Sequence, residues 1–228
     1  MDGNKVEIFH GSEEKIRIPQ FGVGKNTNDY GRGFYCTQNI ELAKEWACSN
    51  GYDGYANKYE FDMNGLRVLK LNSPSYSVLN WLAILADNRT YWERSSISEN
   101  AKNYLHEHFL IDISEFDVII GYRADDSYFT FAKNFVANGI SLHQLQEAMK
   151  LGKLGEQIVL KSPKAFDRIR FIDADKAQAE LYYERKIARD RMARTEYRKN
   201  VRANPQNNGL LMIDIIREGM VDGDPRLL

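Results

Sequence analysis

Along this chain, short alternating runs come first and helical periodicity later. Val6 to His10 reads as a strand that closes at Gly11-Ser12. Ile16 to Ile18 reads as a short extended piece stopped by Pro19. The glycine-rich stretch from 20 to 33, fourteen residues with few apolar ones, predicts a loop long enough to bind something. Gly33 to Thr37 then reads as a strand, followed by a helix from Ile40 to Ser49. Helical spacing puts Leu42, Ala43, Trp46 and Ala47 on its inner face and turns Glu41, Lys44 and Glu45 outward. Tyr55 to Asp62 alternates, Met63-Asn64-Gly65 is a turn, and Arg67 to Leu71 alternates again, which together predict a hairpin.

Helices dominate from there. Ser75 to Asp87 and Ser98 to Leu110 carry apolar positions at helical spacing. Phe116 to Gly121 is a near-continuous apolar run, the pattern of a central strand. Asp125-Asp126-Ser127 reads as a cap for a helix from about Tyr128 to Ala137, and Ser141 to Leu151 as another helix. Gln157 to Lys161 is a strand, Ser162-Pro163 opens one helical turn, and Ile169 to Ile172 is the last strand. After Asp173 the composition shifts: 176–202 holds nine Lys/Arg against four Asp/Glu, with Leu181, Tyr182, Ile187, Met192 and Tyr197 as a thin apolar seam. A break at Asn204-Pro205 precedes a short helix from Leu210 to Gly219. The order mixes strands and helices without strict alternation, so the fold class is α+β. Residues 1–173 read as one domain and 174–228 as a charged helical extension.

Composition narrows the function classes. The 228 residues are 43% hydrophobic and 12% aromatic, enough for a large core, and the net charge of −1 argues against a protein devoted to nucleic acid or anionic membranes. The charged stretch 176–202 can be a solvated helix or a contact for an acidic partner, although its interleaved acids, among them Glu184, Asp190 and Glu196, weaken the second reading. Two cysteines, Cys36 and Cys48, make no disulfide framework, and neither they nor the four histidines show metal-ligand spacing, so no metal is expected. The first residues lack an apolar signal core and no run of about eighteen apolar residues occurs. A cytoplasmic protein without a membrane partner is therefore expected.

Chemistry concentrates around Asp29-Tyr30-Gly31-Arg32-Gly33-Phe34-Tyr35-Cys36-Thr37, with Trp46 following on the next helix. Aromatics on neighbouring elements either pack as core or sandwich a flat heteroaromatic ligand. Two other places resemble this one in setting a polar residue at a strand beside glycine: His10-Gly11-Ser12 and Gly155-Glu156-Gln157-Ile158-Val159. These three motifs resemble the His-Tyr-Glu signature of the ADP-ribosyltransferases of the diphtheria-toxin and poly(ADP-ribose) polymerase type, over roughly residues 5 to 172. Nearly the whole chain also resembles an uncharacterised bacterial family placed beside those enzymes. Phe9-His10-Gly11-Ser12, Gly31 to Thr37, Glu45-Trp46-Ala47, Tyr122-Arg123-Ala124-Asp125-Asp126 and the Asp224-Pro225-Arg226-Leu227 ending carry that likeness.

The resemblance implies a split antiparallel β core around an NAD⁺ cleft, with NAD⁺ consumed as substrate and no metal. His10 would bond a ribose hydroxyl, Gly11 the nicotinamide carboxamide through its backbone, and Ser12 would add a hydroxyl contact. Tyr35 would stack on the nicotinamide, Gly33 would allow close approach, Trp46 would cover the other face, and Tyr30 is a further candidate wall. Glu156 would stabilise the positive charge that builds on the ribose as the nicotinamide bond breaks. Glu156 and Gln157 are neighbours on a strand, so only one of them can face the cleft. Arg123, Asp125 and Asp126 either contact the adenosine half or a target, or form a helix cap with surface charge. The expected activity is mono-ADP-ribosyl transfer to an unidentified acceptor; NAD⁺ hydrolysis and silent NAD⁺ or ADP-ribose binding are the alternatives. A toxin role, with an antitoxin or immunity partner, is a further implication.

Overall fold

The computed structural model describes residues 5–89, 95–124, 126–151, 155–203 and 209–227, with Asp126 described by its backbone only. The fold is α+β. Strands β1 (Lys5–Ser12), β3 (Gly54–Asp62) and β7 (Ile169–Ala177) form an antiparallel sheet in the order β1-β3-β7. A second sheet takes the order β2-β6-β5-β4 from Phe34–Cys36, Glu156–Leu160, Val118–Tyr122 and Val68–Lys70. Its pairs are antiparallel except β4 with β5, which run parallel. The sheets share one apolar layer that includes Ile8, Tyr59 and Phe61 from the first and Phe34, Ile120, Ile158 and Leu160 from the second. A single bridge, Phe9 to Thr37, ties β1 to the chain just beyond β2.

Helices cover the outer faces. Helix α1 (Ile40–Ala47), capped by the Asn39 side chain, lies on the first sheet and buries Ala43 against Phe9 and Ala56. Behind the second sheet lie α2 (Val78–Asn88), α3 (Ser96–Phe109), α4 (Asp126–Val136), α5 (Leu142–Ala148) and, after the one-turn α6 (Pro163–Phe166) and the long α7 (Ala179–Ala203), α8 (Met212–Arg217). Buried from Val78 through Ala86, α2 is apolar on every face but for Asn80, as suits a helix inside a core. A capping box at Ser77 starts it, with the Asn80 side chain accepting from the Ser77 backbone N–H.

Tertiary structure overrides the sequence pattern in several places. The expected hairpin does not form: the turn at 63–65 exists, but β4 leaves β3's sheet to pair in parallel with β5. Alternation reports one buried face and says nothing about which strand lies alongside. The piece at 16–18 joins no sheet, and side chains take the Ile16 backbone groups: Asn57 Oδ1 accepts from the Ile16 N–H at 2.9 Å and Tyr59 donates to the Ile16 carbonyl at 2.5 Å. Strand β7 runs past Asp173 to Ala177, pairing with β3 on both sides of an irregularity at Ile172. Helix α4 starts at Asp126, earlier than its pattern suggests, and the cap expected at Asp125 and Asp126 lies outside the described side chains.

Helix α7 and Glu45 correct each other's readings. The seam is not Leu181, Ile187 and Met192, which are exposed, but Tyr182, Ala193 and Tyr197. Arg189 lies on that same stripe, seven residues after Tyr182 and four before Ala193. It donates from Nε (2.9 Å) and Nη2 (2.7 Å) to Glu45, whose carboxylate is buried rather than turned to water. Arg185 and Tyr182 both bond Glu41, and Tyr197 stacks on Phe131 of α4 at 4.2 Å. Among the described residues no helix is long and apolar enough to cross a membrane.

Candidate functional site

A cleft of about 710 Å³ opens where β1, β2 and the end of β6 approach one another beneath the loop that follows β1. That volume lies in the range of small-molecule and cofactor sites, roughly 300–1,000 Å³. His10, Gly11, Gly33, Phe34, Tyr35, Trp46 and Gln157 line it, as do Asp29, Arg89 and Arg123. Its charged lining holds Lys15, Arg17, Arg89 and Arg123 against Glu14 and Asp29, an excess of cations suited to an anionic ligand.

Strand register decides which side chains share a face. Tyr35 is paired with Val159 across the β2–β6 ladder, so Gln157, two residues along, shares their face. Glu156 takes the opposite face with Ile158 and Leu160. Gln157 is buried in the cleft, whereas Glu156 lines a separate pocket of about 300 Å³ with Lys70 and Asn72, where Asn72 Nδ2 donates to it at 2.9 Å. The expected placement of Glu156 beside His10 and Tyr35 is thus corrected: the residue that shares their cleft is Gln157.

His10 stacks on Phe34 at 4.2 Å, with Nδ1 2.7 Å from the Tyr35 carbonyl. A carbonyl only accepts, so Nδ1 carries the proton and Nε2 is left as an acceptor. Burial lowers the imidazole pKa, partly offset by that hydrogen bond, which keeps the ring neutral near pH 7. Tyr35 presents its ring while its hydroxyl closes the preceding loop, donating to Gly31 O at 2.6 Å and accepting from Tyr30 N at 3.1 Å. Burial pushes its pKa well up, so it stays a phenol. The Arg123 guanidinium lies 4.2 Å from the Trp46 ring centroid, and Trp46 Nε1 is buried with no hydrogen-bond partner among the described residues.

Asp29 forms the hub of the inner wall and is almost wholly buried. Oδ1 accepts from Arg89 Nε at 2.9 Å and Nη2 at 2.5 Å; Oδ2 accepts from the Ala124 N–H at 2.9 Å and Gln157 Nε2 at 3.0 Å. Outside the cleft lining, Lys161 Nζ donates to the Tyr30 and Arg32 carbonyls at 2.6 and 2.8 Å and fixes the glycine turn between them.

Other expected contacts fall elsewhere. Tyr30 is fully buried and donates to the Tyr122 carbonyl at 2.6 Å, so it is core and not a cleft wall. Ser12 is absent from the lining; its hydroxyl donates to the Glu14 carbonyl at 2.6 Å and accepts from Asn57 at 2.9 Å, pinning the loop. Gly11 lines the cleft, yet its small size is also demanded by packing: a Cβ there would lie 2.0 Å from the Ala43 carbonyl oxygen. Gly33 is similar, with Val159 and the Leu160 carbonyl within 3 Å of a notional Cβ. Among the described residues no group of three or more His, Cys, Asp or Glu side chains could hold a metal.

Residues 6–171 match the family described as Protein of unknown function (DUF3990). The chain belongs to the DUF3990 family. No curated protein and no solved structure matches it. The DUF3990 span contains every cleft-lining side chain, from His10 to Gln157, and stops before α7 and α8. Within this DUF3990 fold, two members of the site were given no role by the sequence: Asp29, although it heads the glycine-rich stretch singled out there, and Arg89, which falls beyond the expected helix 75–87. Only their meeting across sixty positions gives them a role.

Proposed function

We propose that the cleft binds NAD⁺ and that the protein transfers its ADP-ribose to an acceptor, with Gln157 and not Glu156 at the ribose. The observation that carries this is the convergence of His10, Tyr35 and Gln157, from three separate strands, on one cation-rich cleft. The likeness to the His-Tyr-Glu transferases supplies the ligand class. His10 Nε2 would accept from a ribose hydroxyl and the Tyr35 ring would stack on nicotinamide. Gln157 would hold the second ribose hydroxyl through Oε1. Breaking the C1′–N bond sends the electron pair to nicotinamide, which leaves neutral. The acceptor then forms the new bond to C1′ and loses its proton. Positive charge on the ribose would be met by the Gln157 carbonyl dipole with the Asp29 carboxylate behind it, a weaker arrangement than a carboxylate in contact.

That difference favours a second reading, in which the cleft binds NAD⁺ or ADP-ribose and catalyses nothing. Incubation with NAD⁺ and chromatographic detection of nicotinamide separates the two; free ADP-ribose without modified macromolecule indicates hydrolysis. Transfer predicts that His10→Ala and Gln157→Leu each cut nicotinamide release by about 10²-fold or more, while Glu156→Gln stays within twofold of wild type. Loss in Glu156→Gln alone would reject the assignment. Growth arrest on expression, relieved by His10→Ala, tests the toxin role and gives the assay in which an antitoxin partner would be found.

A further inference from the structure

We infer that Asp29 is a positioning residue for the reaction proposed above, locking the Gln157 amide so that its carbonyl, not its NH₂, faces the ribose. The inference rests on that functional reading for its ligand and on geometry for everything else.

A glutamine amide has two ends of similar shape and opposite hydrogen-bonding sense, and an unconstrained one presents either. Asp29 removes the choice. A carboxylate accepts and cannot donate, so the group 3.0 Å from its Oδ2 must be the Gln157 NH₂. The carbonyl end is thereby turned the other way, and among the described residues no donor is bonded to it. Asp29 itself cannot rotate. Arg89, at the end of α2, holds Oδ1 with two donors, and the Ala124 N–H, just beyond β5, shares Oδ2. Arg89 Nη2 also donates to the Ala124 carbonyl at 3.1 Å. Two elements therefore fix the carboxylate that fixes the amide.

The consequence is electrostatic as well as geometric. An N–H bonded to an ionised acceptor polarises its amide, and chained hydrogen bonds strengthen each other by roughly 10–30% per bond. The Gln157 carbonyl oxygen thus carries part of the Asp29 charge toward the cleft. A neutral side chain is made to act as an oriented acceptor, which is what a ribose hydroxyl requires. Arg89 offsets part of this field, and it also prevents the buried carboxylate from standing alone.

Two measurements test the proposal. In ¹⁵N-labelled wild-type protein without ligand, one Gln157 side-chain amide proton is expected downfield and slowly exchanging, assigned by its absence in Gln157→Leu. It should be lost in Asp29→Asn. A freely exchanging Gln157 amide in wild type overturns the inference whatever the variants do. In the NAD⁺ assay, Asp29→Asn should lower kcat about tenfold or more with KM changed less than threefold. A merely structural Asp29 would lower the melting temperature without this split between kcat and KM, and melting temperatures of all variants identify any that lose the fold. A folded Asp29→Asn protein turning over like wild type overturns the inference while leaving the functional reading standing. A wild-type protein with the shifted amide proton that neither binds nor cleaves NAD⁺ overturns the functional reading, and with it the ligand this inference assigns.

Discussion

Gly11→Ala asks whether the glycine of the first motif serves ligand approach alone or also holds the fold. The added Cβ would stand 2.0 Å from the Ala43 carbonyl oxygen, 2.7 Å from the Ala47 nitrogen and 2.8 Å from the Trp46 Cβ. Two of those atoms are backbone, in successive turns of α1, so no rotamer change relieves them. The helix must move off β1 by roughly 1 Å to restore even a tight contact, loosening the Phe9–Ala43–Ala56 cluster beneath it. Overpacking of this kind costs ~1–3 kcal/mol, and immovable neighbours put it at the upper end. Alanine also restricts the unfolded chain, which stabilises by ~0.4–1 kcal/mol, too little to reverse the sign. A net loss of about 2 kcal/mol lowers Tm by about 4–8 °C for a chain of this size. Calorimetry reads it directly. Gly54→Ala is the matched case, with Ser12 and Ala47 carbonyl oxygens at 2.7 and 2.8 Å, and should lose a similar amount. Gly65→Ala meets nothing within 4 Å and carries only its positive φ of 69°, so it should lose about 1 kcal/mol. A Gly11→Ala protein melting within about 1 °C of wild type would refute the packing argument.

Three further outcomes follow from the same geometry. Arg89→Leu leaves the Asp29 carboxylate buried without its cation, and the cost should be about 3 kcal/mol in urea unfolding, since part of the Arg89 side chain reaches solvent; a loss below about 1 kcal/mol would mean the pair is worth no more than a surface bridge. Glu45→Ala breaks the pair with Arg189, both largely buried, and should cost about 2–3 kcal/mol while speeding hydrogen exchange in α7; unchanged exchange there would show that Tyr182 and Tyr197 suffice to dock the helix. His10 titrates below its ordinary 6.5 because burial penalises the cation. Between that value and the folded pKa the unfolded chain binds more protons, so stability falls as pH drops below about 6.5 and levels off beneath the folded pKa. His10→Gln should remove that portion of the slope, and superimposable pH profiles would contradict it.

Much of the fold was legible in local pattern. The apolar run at 116–121 became the interior strand β5, the helical stripes within 75–87 and 141–151 became α2 and α5, and the charged stretch after 176 became α7. The candidate site was legible in part: the cleft holds His10, Gly11, Gly33, Tyr35 and Trp46, while Tyr30 went to the core, Ser12 to a loop anchor and Glu156 to another pocket.

What the sequence determined by itself is whatever depends on near neighbours, because periodicity, capping and glycine turns are set within a few residues. What only the tertiary structure decided is pairing. Strand alternation says that Glu156 and Gln157 face opposite ways, and only the assembled cleft shows that Gln157 lines it while Glu156 lies in another pocket. Alternation equally failed to reveal that β4 would join β5, because it marks a buried face without naming a partner. Asp29, Arg89 and Gln157 are ordinary polar residues on the chain. They become a site because burying one carboxylate forces the fold to bring its donors from distant elements.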